Sequence, residues 1–204
     1  MTRSALRRRL KRAGDVALCV VTLPITAPVM GVLALAVKAT SPGPVIYRAK
    51  RMGRDGEVFE LFKFRTMTAG SAGPGVTRSG DLRITSVGRW LRAGKLDELP
   101  QILNVLRGEM SVVGPRPEDP RYLHAYTEEQ RAVLTVAPGM TSAALFHFGN
   151  EQAFIERACP DDVEAFYLAE ILPVKLAIEL HYVREWGLRR DLGILARTVG
   201  AMFT

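Results

Sequence analysis

Two carboxylates, Asp97 and Glu98, stand side by side in Lys95-Leu96-Asp97-Glu98-Leu99-Pro100-Gln101. Adjacent acids repel, so a cation must lie near them, either a metal ion or basic side chains. Arg92, Lys95, Arg107 and Arg116 are the basic groups close by in sequence, and Arg116 sits in a sharp Gly114-Pro115-Arg116-Pro117 turn. Paired acids, several cations and a tight turn within one short stretch suit a site for phosphates and a divalent ion. An aspartate beside bound Mg²⁺ can attack phosphorus, while the metal offsets phosphate charge and arginines stabilise the transferring group. Taken alone, the pair also fits an exposed helix start with acids in its first turn.

The elements that must position these residues are legible from period and punctuation. Val45 to Met52 reads as a strand, Gly53-Arg54-Asp55-Gly56 as a turn and Glu57 to Met67 as a returning strand, together a hairpin. Period two puts Lys63 and Arg65 on one face of the second strand and Phe62 and Phe64 on the other. That basic face is either a solvated edge or a phosphate contact. Thr68 to Gly80 reads as a loop; its Gly70-Ser71-Ala72-Gly73-Pro74-Gly75 lacks the Lys-Ser/Thr of a P-loop. Thr85 or Ser86 can cap a helix running to about Lys95. A helix from Glu98 to Leu106 would bury Leu99, Ile102, Leu103 and Leu106. Further on, Arg121 to Val136 reads as a helix, Pro138 to Thr141 as a turn and Asp162 to Glu185 as a helix kinked at Pro173. Asp191 reads as the cap of a last helix, Leu192 to Phe203.

Val16 through Val37 carries no charged side chain. As a straight helix it would measure about 33 Å, enough to cross a bilayer core. Two features oppose a simple span. Pro24 and Pro28 fall inside the run, where proline breaks or kinks a helix. Both flanks are basic: Arg3, Arg7, Arg8, Arg9, Lys11 and Arg12 before, Lys38, Arg48, Lys50, Arg51 and Arg54 after. The positive-inside tendency wants both on the cytoplasmic side. A helix–break–helix hairpin dipping into one leaflet satisfies that requirement; the alternatives are a bent single-pass anchor and a cleaved signal peptide, for which the apolar centre is long and no clear Ala-x-Ala site precedes a polar mature start. Lys11, Arg12 and Asp15 would then lie at the headgroups.

With 204 residues, 48% of them hydrophobic, the chain makes one domain with ample core. The expected division is a basic N-terminus and membrane helix over residues 1–40 and a membrane-associated catalytic domain over 41–204. A net charge of +7 favours anionic partners: phosphorylated substrates, anionic membrane lipids or nucleic acid. Nucleic acid is excluded as a reading, because no binding motif or basic–aromatic platform accompanies the charge. Cys19 and Cys159 form no metal pattern, and His124, His147 and His181 are scattered.

The stretch from Lys95 to Pro117 resembles the bacterial sugar transferases, the monotopic phosphoglycosyl transferases. So do Lys11-Arg12 with Asp15, the proline-bearing apolar run, Lys63-Phe64-Arg65-Thr66-Met67, Asp81-Leu82-Arg83-Ile84-Thr85 and Gly88-Arg89-Trp90-Leu91-Arg92. These matches fall in the family's order over residues 11 to about 141. The resemblance implies an α/β (α+β), largely helical single domain with a short β-hairpin and an N-terminal proline-broken re-entrant membrane helix, in the family's minimal form. It implies an enzyme that moves a phosphosugar from a UDP-sugar donor to a polyprenyl (undecaprenyl) phosphate acceptor with release of UMP, at the cytoplasmic face of a bacterial inner membrane. Asp97 would attack the β-phosphorus and form a covalent aspartyl-phosphosugar. Glu98 would assist as metal ligand or base, and Mg²⁺ would be the cofactor, held by Asp97 and Glu98. Lys63, Arg65, Arg92 and Arg116 would bind phosphates, and a homodimer is an admissible assembly. Two stretches depart from the family's usual pattern. Ala27-Pro28 replaces a common Ser-Pro at the break, and Met140-Thr141-Ser142-Ala143-Ala144-Leu145-Phe146-His147-Phe148-Gly149-Asn150-Glu151 follows Pro138-Gly139 in place of Ile-Thr-Gly.

Overall fold

A computed structural model describes residues 3–70, 81–148, 151–158 and 161–201. Most of the loop expected at Thr68–Gly80, Cys159 and the far end of the last helix lie outside them. Helix α1 spans Arg3–Thr40 and runs through Pro24 and Pro28 without interruption, where the sequence predicts a break. The reason lies in its packing. Asp15, Cys19, Leu33 and Val37 are buried and lie on one face, so residues on both sides of the prolines are held against the same body. The opposite face shows Leu18, Val21, Ile25, Val32 and Leu35 to the outside, with Val21, Ile25 and Leu35 each more than 70% exposed.

Strands β1 (Ile46–Met52) and β2 (Val58–Phe64) form the expected antiparallel hairpin, in register from Ile46↔Phe64 to Met52↔Val58. Asp55 (φ 58°) and Gly56 (φ 80°) close it. Thr85 caps α2 (Ser86–Ala93), its side chain accepting from the Gly88 N–H. The chain then makes a 3₁₀ turn, Leu96–Glu98, before α3 (Gln101–Arg107). Pro100 precedes α3, and Gly108 ends it in the left-handed conformation. Ile102 and Val105 are the buried apolar residues of α3, while Leu103, expected in the core, is exposed.

Two short strands, β3 (Ser111–Val113) and β4 (Gly139–Thr141), pair in parallel where a turn was expected at 138–141. Only glycine permits this approach, since a Cβ on Gly139 would stand 2.1 Å from the Gly114 nitrogen. The helix expected over Arg121–Val136 is replaced by two 3₁₀ turns, Pro120–Ala125 and Gln130–Thr135. Between them Thr127 and Gln130 cap each other reciprocally, side chain to backbone N–H at 2.9 and 3.2 Å, which starts a new turn and ends the old one.

Helices α4 (Leu145–Phe148), α5 (Glu151–Ala158), α6 (Val163–Phe166), α7 (Leu172–Arg184) and α8 (Leu188–Gly200) complete the fold. Asp162 caps α6, and a π-helical turn over Tyr167–Ile171 joins it to α7 at Pro173, the expected distortion. Helix α8 begins at Leu188, so Asp191 is not its cap. Asp191 is buried and takes hydrogen bonds from Lys11 (2.7 Å), Tyr182 (2.6 Å) and Trp186 (3.3 Å). The largest core cluster joins Met52, Tyr122, Tyr126 and Val133 to Ile155, Tyr167, Ile171, Leu172 and Leu176. Two others are built on α1: Cys19 with Ala49, Leu61, Ile102, Val105 and Met110, and Leu33 and Val37 with Phe64 and Leu91. The chain is thus a largely helical single domain with a short hairpin and one long apolar N-terminal helix.

Candidate active site

Leu96 and Leu99 flank the acid pair and pack against the cluster of Leu33, Val37, Phe64 and Leu91. These apolar neighbours anchor the 3₁₀ turn, and Lys95 in the left-handed conformation (φ 53°) swings the chain out of α2 into it. Buried Asn104 then locks α3 to the hairpin. Its amide donates to the Glu60 carbonyl (2.7 Å) and its oxygen accepts the Phe62 N–H (3.0 Å). Asp97 and Glu98 therefore sit at the meeting point of α1, α2, α3 and β2.

The two acids have different surroundings. Glu98 Oε1 receives Lys63 Nζ at 2.9 Å and Arg116 Nη2 at 2.6 Å, and Oε2 receives Arg116 Nη1 at 3.3 Å. Burial alone would raise its pKa, but Arg116 and Lys63 hold the carboxyl far below the usual range. A carboxylate held so firmly ionised is a poor proton acceptor near neutral pH, so the base role expected as one option for Glu98 is disfavoured. Among the described residues Asp97 has no direct ion pair. Burial pushes its pKa up and the Glu98 charge adds to that, against the fields of Lys63 and Arg92. A half-desolvated carboxylate next to a neutralised one is suited to nucleophilic work.

Arg92, in the last turn of α2, donates Nε–H to Thr66 Oγ1 at 2.8 Å and lies in the field of Asp97. Lys63, Arg92, Asp97, Glu98 and Arg116 are thus brought together. Arg65 is not with them. Strand β2 ends at Phe64, so the period-two rule stops applying, and the Arg65 guanidinium turns to the chain leaving α1. There it donates to Ser41 O (2.7 Å), Ser41 Oγ (2.8 Å) and Pro44 O. Arg107 stacks over Phe62, 4.6 Å from the ring centroid, and Lys95 is exposed.

Lys11, Arg12 and Asp15, expected at the headgroups, are turned into the protein instead. Lys11 pairs with Asp191, and Arg12 caps the last carbonyls of α3, those of Val105 and Leu106. Asp15 accepts from Ser111 Oγ (2.8 Å) and the Val112 N–H (3.2 Å). Charged residues two to three turns inside a helix that packs on a domain have that domain to bind, and here they do. Arg7, Arg8 and Lys50 remain exposed.

Sequence reasoning missed the groups that support Arg116. Glu179 of α7 is 3% exposed, and its Oε1 accepts the backbone N–H of Arg116 (3.4 Å) and of Ala144 (3.3 Å). Burial raises its pKa to about 7. Nearby, buried Lys175 pairs with Glu118 at 2.6 Å, and Tyr167 donates to Glu118 at 2.7 Å. The available signal was the helix stripe Leu172, Lys175, Leu176, Glu179, Leu180, in which two charges occupy core positions.

Among the described residues no group of three or more acids, histidines or cysteines could enclose a metal. The site fits Mg²⁺ in the other common manner, bound by one or two carboxylates with substrate phosphates and water completing the shell. Asp97 offers its oxygens for this directly, whereas Glu98 already receives two cations.

The model of the family described as bacterial sugar transferase matches residues 6–204. A UDP-glucose:undecaprenyl-phosphate glucose-1-phosphate transferase of Caulobacter vibrioides is 39% identical over 199 residues, covering 95% of this chain and 70% of the relative. A protein of that description from Escherichia coli K12 is 37% identical over 96% of this chain, which spans 40% of it. A UDP-N-acetylgalactosamine-undecaprenyl-phosphate N-acetylgalactosaminephosphotransferase of Aeromonas hydrophila is 31% identical over 96% of this chain, which spans 44% of it. Several of the relatives are therefore much longer than the part that matches. With the acid pair, its cations and the membrane-type helix disposed as described, the chain belongs to the bacterial sugar transferase family.

Proposed function

We propose that the chain transfers a phosphosugar from a UDP-sugar to undecaprenyl phosphate through a covalent Asp97 intermediate. The observation that carries this reading is the division of labour in the acid pair: Glu98 is saturated by Lys63 and Arg116, while Asp97 keeps its oxygens. In the first step an Asp97 carboxylate oxygen bonds to the β-phosphorus of the donor. The bond from that phosphorus to the bridging oxygen breaks, and UMP leaves with the electron pair. In the second step an oxygen of undecaprenyl phosphate attacks the same phosphorus, the acyl–phosphate bond breaks and the Asp97 carboxylate returns. Lys63, Arg92 and Arg116 hold phosphate oxygens and stabilise charge in both steps. Mg²⁺ held by Asp97 together with the donor's phosphates would supply further charge compensation when bound, Glu98 being already occupied by Lys63 and Arg116.

The geometry of α1 supports a one-leaflet topology. Lys11 to Asp15 contact β3 and α8, and Leu33 and Val37 contact Phe64 and Leu91, so both ends of the helix rest on one catalytic body. The apolar stripe Leu18, Val21, Ile25, Val32, Leu35 faces outward, available to acyl chains, and would keep the site at the surface where a polyprenyl phosphate presents its headgroup.

The deciding experiment is UMP release by the detergent- or nanodisc-held protein with Mg²⁺, undecaprenyl phosphate and a panel of UDP-sugars. Release should depend on one donor and be lost in Asp97→Asn. Incubation with β-³²P-labelled donor and no lipid acceptor should leave label on the wild-type protein and none on the variant. Undiminished UMP release by Asp97→Asn would overturn the assignment.

A further inference from the structure

We propose that Thr66 is a positioning residue for the transfer, acting through Arg92; the inference rests on the reading that Arg92 binds a phosphate. Three cationic side chains near the site are anchored in different ways. Arg83 is held by the carboxylate of Asp81 at 2.6 Å, and Arg116 by that of Glu98 at 2.6 Å. Arg92 is held by a hydroxyl, Thr66 Oγ1, at 2.8 Å from Nε. A carboxylate fixes a guanidinium and cancels much of its charge. A hydroxyl fixes it and leaves the charge intact. Anchoring through Nε also leaves the two terminal NH₂ groups, the fork that matches phosphate oxygens, for a ligand beside Asp97.

Thr66 is itself rigidly placed. It is 6% exposed, and its carbonyl accepts the Thr85 N–H at 3.0 Å, at the start of the helix whose last turn bears Arg92. A Cβ on Gly88 would stand 2.1 Å from that carbonyl, so α2 lies as close to Thr66 as a glycine allows. Thr66 therefore holds both ends of α2, one through its backbone and one through its side chain. Orienting a long arginine before substrate arrives removes an ordering cost from the binding step. Within Lys63-Phe64-Arg65-Thr66-Met67, Lys63 reaches Glu98, Arg65 ties the chain leaving α1, and Thr66 aims Arg92.

The test uses Thr66→Val, Thr66→Ser, Arg92→Ala and the double variant Thr66→Val/Arg92→Ala in the full-length protein. Two readouts serve: UDP affinity with Mg²⁺, and UMP release from UDP-glucose, UDP-galactose and their N-acetyl forms. Thr66→Val should weaken UDP binding or kcat/KM by about tenfold, as expected for a hydrogen bond to a charged group. Thr66→Ser should restore both to within about threefold, and all melting temperatures should stay close to wild type. In the Arg92→Ala background Thr66→Val should change nothing further. An undiminished effect of Thr66→Val in that background, or no effect in the wild type while Arg92→Ala is impaired, overturns the proposal alone. Wild-type behaviour of Arg92→Ala overturns the phosphate role of Arg92 and the proposal with it. Should Thr66→Val not fold, Thr66→Ala, which keeps the backbone contact to α2, is scored by the same outcomes.

Discussion

Asp97 and Glu98 differ by one position and by almost everything their side chains touch. Asp97 is a partly desolvated carboxylate with no direct counter-ion among the described residues, which is costly to the folded state. Asp97→Asn should therefore melt at the same temperature as wild type or higher while losing turnover; a markedly lower melting temperature would mean the carboxylate is structural. Because the reaction needs the ionised form and burial raises the pKa, activity should fall with acidification in a limb above the ordinary aspartate range. Glu179 gives a different pH signature. The unfolded chain releases this proton near 4.5 and the folded protein holds it to about 7, so the folded state is stabilised below that interval and loses this contribution as pH rises through it. The loss is on the order of 3 kcal/mol if the full shift is expressed. Glu179→Gln should flatten the decline in melting temperature between those pH values, and an unchanged slope would place the titration elsewhere.

At the scale of elements, Arg65 separates what a motif match implies from what the chain does with a residue. Arg65→Ala removes three hydrogen bonds where α1 hands over to the hairpin and should destabilise the protein by roughly 2 to 4 kcal/mol. The KM for the donor should stay within about twofold of wild type; a large rise in KM with unchanged stability would return Arg65 to the phosphate site. The hairpin, the Thr85 cap and the distortion at Pro173 were legible because turn glycines, caps and prolines act locally. The β3–β4 pairing was not, since two three-residue strands separated by 25 positions have no period to read. Nor was the breakup of 121–136, where Thr127 and Gln130 cap each other against the helical pattern around them. The acid pair, Lys63, Arg92 and Arg116 could be named from sequence. Thr66, Lys175 and Glu179 required the packing, because their partners lie on other elements.

At the scale of the molecule, α1 carries the exposed apolar face and is also a wall of the core. Cysteines placed at Arg8 and Lys50, with Cys19 and Cys159 replaced, test the topology. An impermeant maleimide added to intact spheroplasts should label neither, and both should label after lysis. Labelling of one from outside would show a crossing helix. Removal of residues 1–40 should give an aggregating protein, since it uncovers Ala49, Leu61, Ile102, Val105 and Met110 on one side and Phe64 and Leu91 on the other.

The pairing of Lys11 with Asp191 also sets a schedule for synthesis. Helix α1 is translated before its partners at Val105, Ser111 and Asp191, the last of them 180 residues on. At about 5–20 residues per second that interval lasts on the order of ten seconds or more. Throughout it the apolar faces of α1 have no domain to lie on. The body that carries Asp97 therefore closes only after its distant partners have been made, against a helix that has been waiting for them since its own synthesis.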